Sequence, residues 1–509
     1  MTTTTPVPAD PGWLWAELGL AVEVSADVRG EGLDALVGLA LRRNPRRAHL
    51  LVSRVLGKHL PVAPGAGLAA GADLAALVRA LPGFPEDGPG AAHAHDAGEA
   101  AAAGEAAAVG EAAAAGHRDG ARPGPLVIGY CETATALGHA VADGLAGSHY
   151  LHTTRRDLPG VPPVLEFTES HSHASHHWLV PEDPAILRGG EPIVLVDDEL
   201  STGRTALGTI RILHAHAPRG RYVVATLVDA RPAAARTAFA DLAAELGVRI
   251  DVVALIAATV TVPPEIADRA ASIRARLAGA EPPDRAPASD RAPASDQIPT
   301  PAKARPSVPS VPSVPFVQAV QAGHPVRWLT ADWPADLPEG GRYGWSPTHR
   351  RRLDDALAPV AAAVRAALTR PDGRTLVLGT EELMYTPMRI ADTLAATGSG
   401  DVRYQSTTRS PVHPVDVEGY AIRAAHTFPA PDDPGRVSHV YNVRPGAYDD
   451  IVLIVDSGVD AASPAPVADP AGLVAELRRC APVAVLTLPA YRPAPRSIEV
   501  GLALPEQAR

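Results

Sequence analysis

The sequence predicts an α/β fold, a parallel sheet flanked by helices, followed by a second α/β unit in the C-terminal part. Three observations carry this. Residues 193–196 form an uninterrupted aliphatic and β-branched run, the pattern of a strand covered on both faces of a parallel sheet. Similar runs stand before it in Pro125-Leu-Val-Ile-Gly129 and after it in Arg221-Tyr-Val-Val-Ala-Thr-Leu-Val-Asp229. Strand ends of the same kind recur beyond a proline-rich stretch, in Thr375-Leu-Val-Leu-Gly379 and Ile451-Val-Leu-Ile-Val-Asp456.

In such a sheet the chemistry lies at the carboxyl ends of the strands. The central run ends in Asp197 and Asp198, acceptors suited to vicinal hydroxyls. Ser201, Thr202, Gly203, Arg204 and Thr205 follow, backbone N–H and hydroxyl donors suited to a phosphate. Gly203 permits a left-handed turn, and a helix over residues 207–213 would aim its N-terminal dipole at the same anion. An ordinary capped helix would explain the hydroxyls but does not call for two acids at a strand end. The run resembles the 5-phosphoribosyl-1-pyrophosphate (PRPP) signature of type I phosphoribosyltransferases, in which an apolar run precedes two acids and a Thr/Ser-Gly-x-Thr turn. That resemblance implies a type I phosphoribosyltransferase fold, with Asp197 and Asp198 on the ribose hydroxyls and residues 201–205 on the 5′-phosphate.

A length of 509 residues exceeds one ordinary core and fits two domains with linkers. No apolar run reaches the roughly 18–20 residues of a spanning helix, and the start lacks the basic and apolar regions of a secretory signal. Two cysteines cannot build a disulfide framework, so a reducing cytoplasm is expected. A net charge of −11 argues against nucleic acid as the main partner.

Residues 1–83 read as the N-terminal part and hood of the first domain. Residues 32–43 are helix-compatible, as is the basic segment from Asn44 to Pro61, where Pro45 suits a first helical position after an Asn44 cap. Its cations are either a solvated face or a hood over an anionic substrate, with Lys58 and His59 the hood and acceptor candidates. Residues 84–123, with Gly-Glu-Ala hexads starting at Gly98, Gly104 and Gly110, read as a low-complexity disordered insertion.

Residues 124–278 read as the transferase core. After Gly129 a helix over residues 134–145 is expected, and the small, hydroxyl-bearing junction leaves room for an anion. In the resembling family the pyrophosphate loop holds this place, here Glu132, Thr133, Ala134 and Thr135. A strand over residues 148–154 leads into Arg155 and Arg156, suited to pyrophosphate oxygens. The next segment carries His171, His173, His176 and His177, and with no local cysteine it reads poorly as a zinc site. The family has a mobile loop there that closes over PRPP, which makes His171, His173 and His176 candidates to meet pyrophosphate or protonate a base. An exposed, inert hairpin is the other reading. Asp229 and Arg231, at the next strand end, are acceptor candidates.

Residues 279–315 repeat Asp-Arg-Ala-Pro-Ala-Ser and Ser-Val-Pro, a semi-extended spacer. Residues 316–509 then restate the first domain's landmarks in order. Gly379, Thr407, Arg409 and Asp456 echo Gly129, Thr153, Arg155 and Asp197, with 28 positions from Gly379 to Thr407 against 24 from Gly129 to Thr153. This predicts a second, degenerate phosphoribosyltransferase-like α/β domain. It keeps Asp456 but lacks the second acid and the phosphate turn, so PRPP binding is not expected there.

Thr408, Arg409, Ser410 and Pro411 carry a second resemblance, to the TRSP domain that follows an orotate-type phosphoribosyltransferase domain in bacterial tellurium-resistance and stress gene clusters. Asn44-Pro-Arg-Arg47, Leu56-Gly-Lys-His59, Glu132-Thr-Ala-Thr135 and Glu169-Ser-His-Ser-His-Ala174 also resemble that family. The resemblance implies an enzyme of the pentosyltransferase class that uses PRPP with Mg²⁺ on a base or base-like acceptor, or runs in reverse, to make or salvage a nucleoside-like metabolite. No metal ligand is assigned from side chains. The competing readings are a non-catalytic PRPP or nucleotide-binding regulator and a stress-complex scaffold. Expected partners are PRPP, a base-like small molecule, a second copy and other stress-cluster proteins, with no nucleic acid or membrane.

Overall fold

The computed structural model describes residues 12–43, 48–84, 124–158, 160–168, 176–278, 323–456 and 472–493. Apart from Phe84, the expected insertion and the spacer lie outside the described residues.

The N-terminal part forms α1 (Trp13–Leu18), β1 (Ala21–Asp27), α2 (Leu33–Leu36), β2 (Val37–Leu41), β3 (His49–Ser53) and α3 (Pro64–Arg79). The region read as helical thus contains an antiparallel pair instead, with Val37 opposite Ser53 and Leu41 opposite His49. So short an apolar run does not separate strand from buried helix by period, and Gly38 and the β-branched Val37 weaken a helix. Asn44 and Pro45 lie outside the described residues.

The core continues with β4 (Leu126–Gly129), α4 (Ala134–Asp143), β5 (His149–His152), β6 (Leu165–Thr168), β7 (His176–Leu179), β8 (Ile193–Leu200), α5 (Arg204–His216), β9 (Arg221–Asp229), α6 (Ala233–Leu246), β10 (Arg249–Thr261) and α7 (Ile266–Ala278). Six strands lie in the order β1-β10-β9-β8-β4-β5. All neighbours run parallel except β1, which lies antiparallel on β10. Every residue of β9 and residues 193–196 of β8 are buried, as strands covered on both faces must be. β8 runs on through both acids to Leu200, and α5 starts at Arg204 rather than 207.

The C-terminal part forms β11 (Val326–Leu329), α8 (Pro347–Ala367), β12 (Arg374–Gly379), α9 (Tyr385–Ala396), β13 (Asp401–Ser406), β14 (Ala425–Pro429), β15 (Val437–Tyr441), β16 (Asp450–Asp456), α10 (Leu473–Leu477) and β17 (Val483–Leu488). Its sheet is all parallel, in the order β11-β17-β16-β12-β13. Its strands β17-β16-β12-β13 follow one another as β9-β8-β4-β5 do in the first sheet. Taken in chain order, each unit has a helix after the first of these strands, α4 after β4 or α9 after β12, and an antiparallel pair, β6-β7 or β14-β15, between the second and third.

The two units interlock. Outer strand β5 is bridged by the C-terminal unit, with Tyr150 N donating to Trp345 O at 2.8 Å and the reverse bond at 2.7 Å. Outer strand β13 is bridged by the N-terminal part, through Val62 N to Tyr404 O at 2.9 Å and its reverse at 2.8 Å. Each bridging residue stands just before a helix, Trp345 before α8 and Val62 before α3. Between the sheets α3 packs on α4 and α9, and α4 on α9. One hydrophobic cluster therefore joins Val127, Tyr150 and Val194 to Val377, Tyr404 and Val452. Tyr150 and Tyr404 are fully buried at this joint, and the Tyr150 hydroxyl donates to Thr135 O at 2.6 Å.

Candidate functional site

At the carboxyl ends of β8 and β4 lies a cleft of about 470 Å³. Its floor is the end of β8, where Asp197 pairs in register with Thr226 and Glu199 with Val228 of β9. Asp198 N donates to Asp197 Oδ1 at 3.0 Å. Burial, then the Asp198 carboxylate beside it, push the Asp197 carboxyl well above the usual range.

Ser201, Thr202, Gly203, Arg204 and Thr205 form the adjoining wall. Gly203 is left-handed at φ 68° and precedes the first turn of α5, whose leading N–H groups have no partner within the helix. A Cβ at Gly203 would stand 2.4 Å from Phe239 Cε2, so glycine is required here on two counts. Phe239 is held in turn by the Arg231 guanidinium, 4.3 Å from its ring centre.

The turn after β4 contributes Tyr130, Cys131, Glu132 and Thr133. The Cys131–Glu132 peptide is cis. Cys131 N donates to Thr153 Oγ1 at 2.9 Å, and burial, then Glu382, push the Cys131 thiol up to about 12, so it is no thiolate nucleophile. Glu132 Oε2 accepts from Thr408 Oγ1 at 2.9 Å and from Arg409 N at 3.3 Å. Ala134 and Thr135 lie buried in the first turn of α4, outside the lining, with Thr135 Oγ1 donating to Glu132 O at 2.9 Å.

The roof comes from the N-terminal part. Lys58 Nζ donates to Thr133 Oγ1 at 2.6 Å. Gly57, at φ 74°, lies so close to Tyr404 that a Cβ would meet its ring at 2.7 Å, and Ser406 N donates to Gly57 O at 2.7 Å. The C-terminal unit thereby fixes Lys58 and His59 over the cleft. His59 is buried, and burial, then Lys58 and Arg42, hold its imidazole well below its ordinary pKa, so it is neutral. Its Nε2 makes no hydrogen bond among the described residues.

The two arginines after β5 part company. Arg155 lines the cleft, with its N donating to Glu382 Oε1 at 2.9 Å and its Nη2 2.9 Å from His177 Nε2. Arg156 turns into the C-terminal unit, where Nη1 donates to Asp456 Oδ2 and Nε lies 3.3 Å from Asp432 Oδ2. Asp229 and Arg231 also stay outside the lining. Arg231 grips both Asp229 oxygens at 2.9 Å, and Arg236 joins at 2.9 Å, a closed set that braces Phe239. His176 pairs with Glu166 on the outer face of the β6-β7 pair, and His171 and His173 lie outside the described residues. His177, inward on β7, is buried, with Nδ1 3.0 Å from Thr153 Oγ1.

From the C-terminal unit, Arg409, Ser410 and Pro411 line the cleft while Thr408 is buried against Glu132. Arg42, Leu50, Leu51, Ser53 and Glu199 line it too, and the sequence reading passed over all five. Glu381 and Glu382 were passed over as well, although Glu382 follows Gly379 by the same step as Glu132 follows Gly129. Among the described residues no group of three or more His, Cys, Asp or Glu side chains forms a metal cluster.

A family model described as phosphoribosyl transferase matches residues 36–259, and one described as the TRSP domain C terminus to PRTase_2 matches residues 339–476. No curated protein matches the chain. Similar solved structures include the adenine phosphoribosyl transferase of Trypanosoma brucei in complex with AMP, pyrophosphate and ribose-5-phosphate, at 14% identity and TM-score 0.21 over 26% of this chain and 56% of that one. The Giardia lamblia enzyme complexed with 9-deazaadenine gives 19% and 0.20 over 25% and 68%. The Thermoanaerobacter pseudethanolicus adenine phosphoribosyltransferase gives 21% and 0.18 over 26% and 70%. The chain thus spans little more than half the length of the trypanosome enzyme.

Proposed function

The chain belongs to the family that joins a phosphoribosyl transferase domain to a C-terminal TRSP domain, and we propose that its cleft binds PRPP and transfers the phosphoribosyl group to a base or base-like acceptor. The observation that carries this is one cleft lined by a paired acid, the Ser-Thr-Gly-Arg-Thr turn at the start of α5, and Lys58, Arg155 and Arg409. Asp197 and Asp198 take the ribose hydroxyls, and residues 201–205 with the start of α5 take the 5′-phosphate. The C1–O bond of PRPP breaks with its electron pair leaving on pyrophosphate, while the acceptor's lone pair closes the new bond to C1 and the acceptor gives up a proton. Charge therefore grows on the leaving group, and Lys58, Arg155 and Arg409 on the lining are the cations to meet it. Fixing the ribose at its hydroxyls and at its phosphate holds C1 in line with the acceptor. His59, kept neutral, offers a ring nitrogen to the acceptor.

Asp197 and Asp198, side by side on the cleft lining, would face a Mg²⁺ brought in with PRPP, which would offset the pyrophosphate charge. On the resemblance alone, the product belongs to a stress-linked, nucleoside-like metabolite, made in a cytoplasmic setting.

A pyrophosphate-release assay with PRPP, Mg²⁺ and a panel of purine and pyrimidine bases tests the reading. Release with one base and none without it supports transfer and names the acceptor. PRPP binding with no release for any base points to a sensor.

A further inference from the structure

We propose that the TRSP domain acts as the second half of a dimer folded into one chain, and that its Arg409 completes the cleft as a ligand for the leaving pyrophosphate. This rests on the PRPP reading above. The two units carry matching internal bonds. In the first, Thr153 N donates to Gly129 O at 3.0 Å and Cys131 N to Thr153 Oγ1 at 2.9 Å. In the second, Thr407 N donates to Gly379 O at 3.0 Å and Glu381 N to Thr407 Oγ1 at 3.1 Å. Across the boundary the bonds are reciprocal. Glu132 accepts from Thr408 Oγ1 at 2.9 Å and Arg409 N at 3.3 Å, and Glu382 accepts from Thr154 Oγ1 at 2.7 Å and Arg155 N at 2.9 Å. The bridges of Trp345 to β5 and of Val62 to β13 repeat the same exchange.

The symmetry breaks one residue further on. Matching Thr154 to Thr408 sets Arg155 against Arg409 and Arg156 against Ser410. On the TRSP side Arg156 and Arg342 close on Asp456, the acid that ends β16. On the transferase side the short Ser410 stands in that role, and the cleft stays open before Asp197. Arg409 lines it with its Nε anchored, 2.8 Å from Glu381 Oε2 and 3.1 Å from Glu132 Oε1. Its Nη1 makes a long 3.4 Å contact to Arg155 O, and its Nη2 makes no hydrogen bond among the described residues and lies 3.6 Å from Asp432. Nη2 is buried on the Asp432 side, so the donor left for a ligand is Nη1; a guanidinium oriented through Nε, with its side chain 20% exposed and Nη1 holding only that long contact, suits a phosphate oxygen.

The test is calorimetric titration of the full chain with Mg²⁺ and, separately, inorganic pyrophosphate, PRPP and ribose 5-phosphate, for wild type, Arg409→Gln, Arg409→Lys and Asp197→Asn/Asp198→Asn. Arg409→Gln is expected to weaken pyrophosphate and PRPP about tenfold or more, the scale of one charge-assisted contact, and ribose 5-phosphate less than about twofold. Arg409→Lys keeps a cation beside Glu132 and Glu381, so it is the variant that retains the fold most securely and is expected to show a smaller loss on the same two ligands. The acid-pair variant is expected to lose ribose 5-phosphate and PRPP. Equal weakening of pyrophosphate and ribose 5-phosphate in both Arg409 variants, or no weakening in either, overturns the assignment of Arg409 while leaving the PRPP reading intact. Wild type that binds neither PRPP nor ribose 5-phosphate overturns both.

Discussion

Arg156→Met is expected to cost about 2–4 kcal/mol of stability and little PRPP affinity. Arg156 and Asp456 are each 7% exposed, and Arg156 meets both Asp456 and Asp432. Removing one partner of a buried pair leaves an uncompensated charge and costs about 3–5 kcal/mol. Arg342 remains, its Nη2 3.6 Å from Asp456, and offsets part of that. At about 2 °C per kcal/mol, the melting temperature at pH 7 should fall by roughly 4–8 °C. The pH dependence has a definite sign. Burial raises the Asp456 carboxyl, but Arg156 and then Arg342 outweigh it and hold the group below its usual value. Its contribution is full above the unfolded value of about 3.9 and is lost as pH falls through the lower folded value. The gap between wild type and variant should therefore be widest near neutrality and narrow towards about pH 3. Replacing both partners, as Arg156→Met/Asp456→Leu, should recover much of the loss. Thermal unfolding followed by circular dichroism reads the stability, and calorimetry reads the affinity. An unchanged melting temperature with PRPP affinity down about tenfold or more would put Arg156 in the cleft and refute the reasoning.

Gly203→Ala should weaken ribose 5-phosphate binding and lower the melting temperature, since its Cβ meets Phe239 at 2.4 Å and left-handed strain alone costs about 1–2 kcal/mol; titration and melting check this. Burial holds the His59 and His139 imidazoles well below their ordinary pKa, so stability should fall as pH drops below about 6.5, where the unfolded chain takes up protons first. His139→Phe, which keeps the ring stacked 4.1 Å from Tyr385, should flatten that fall in melting curves recorded from about pH 8 to pH 5. A protease site placed within residues 279–315 should yield two fragments that co-elute on gel filtration, because the bridges to β5 and β13 and the shared core hold them; separate elution would contradict the interlocked fold.

The strand β8 and its turn were legible because a strand buried on both faces leaves an unbroken apolar run, and Gly203 sits where only glycine fits. The C-terminal landmarks were legible for the same reason. The β2-β3 pair was not, since two short apolar runs carry no period that separates strand from helix. Spacing placed Arg155 and Arg156 at a strand end, but it does not say to which side a long side chain swings, and Arg156 swings to Asp456. Asp229 and Arg231 look like a substrate-facing pair in sequence, and in space they satisfy each other. Contacts between Glu132 and Thr408 span 276 positions, a distance over which local pattern carries no signal. The matched steps from Gly129 to Glu132 and from Gly379 to Glu382 were the trace that sequence did hold.

Titration calorimetry with PRPP and Mg²⁺, comparing wild type with Asp197→Asn/Asp198→Asn, tests the central claim most directly. Saturable binding in wild type, lost in the double variant at an unchanged melting temperature, is the predicted result. Absence of binding in wild type, or equal binding in both proteins, would contradict it.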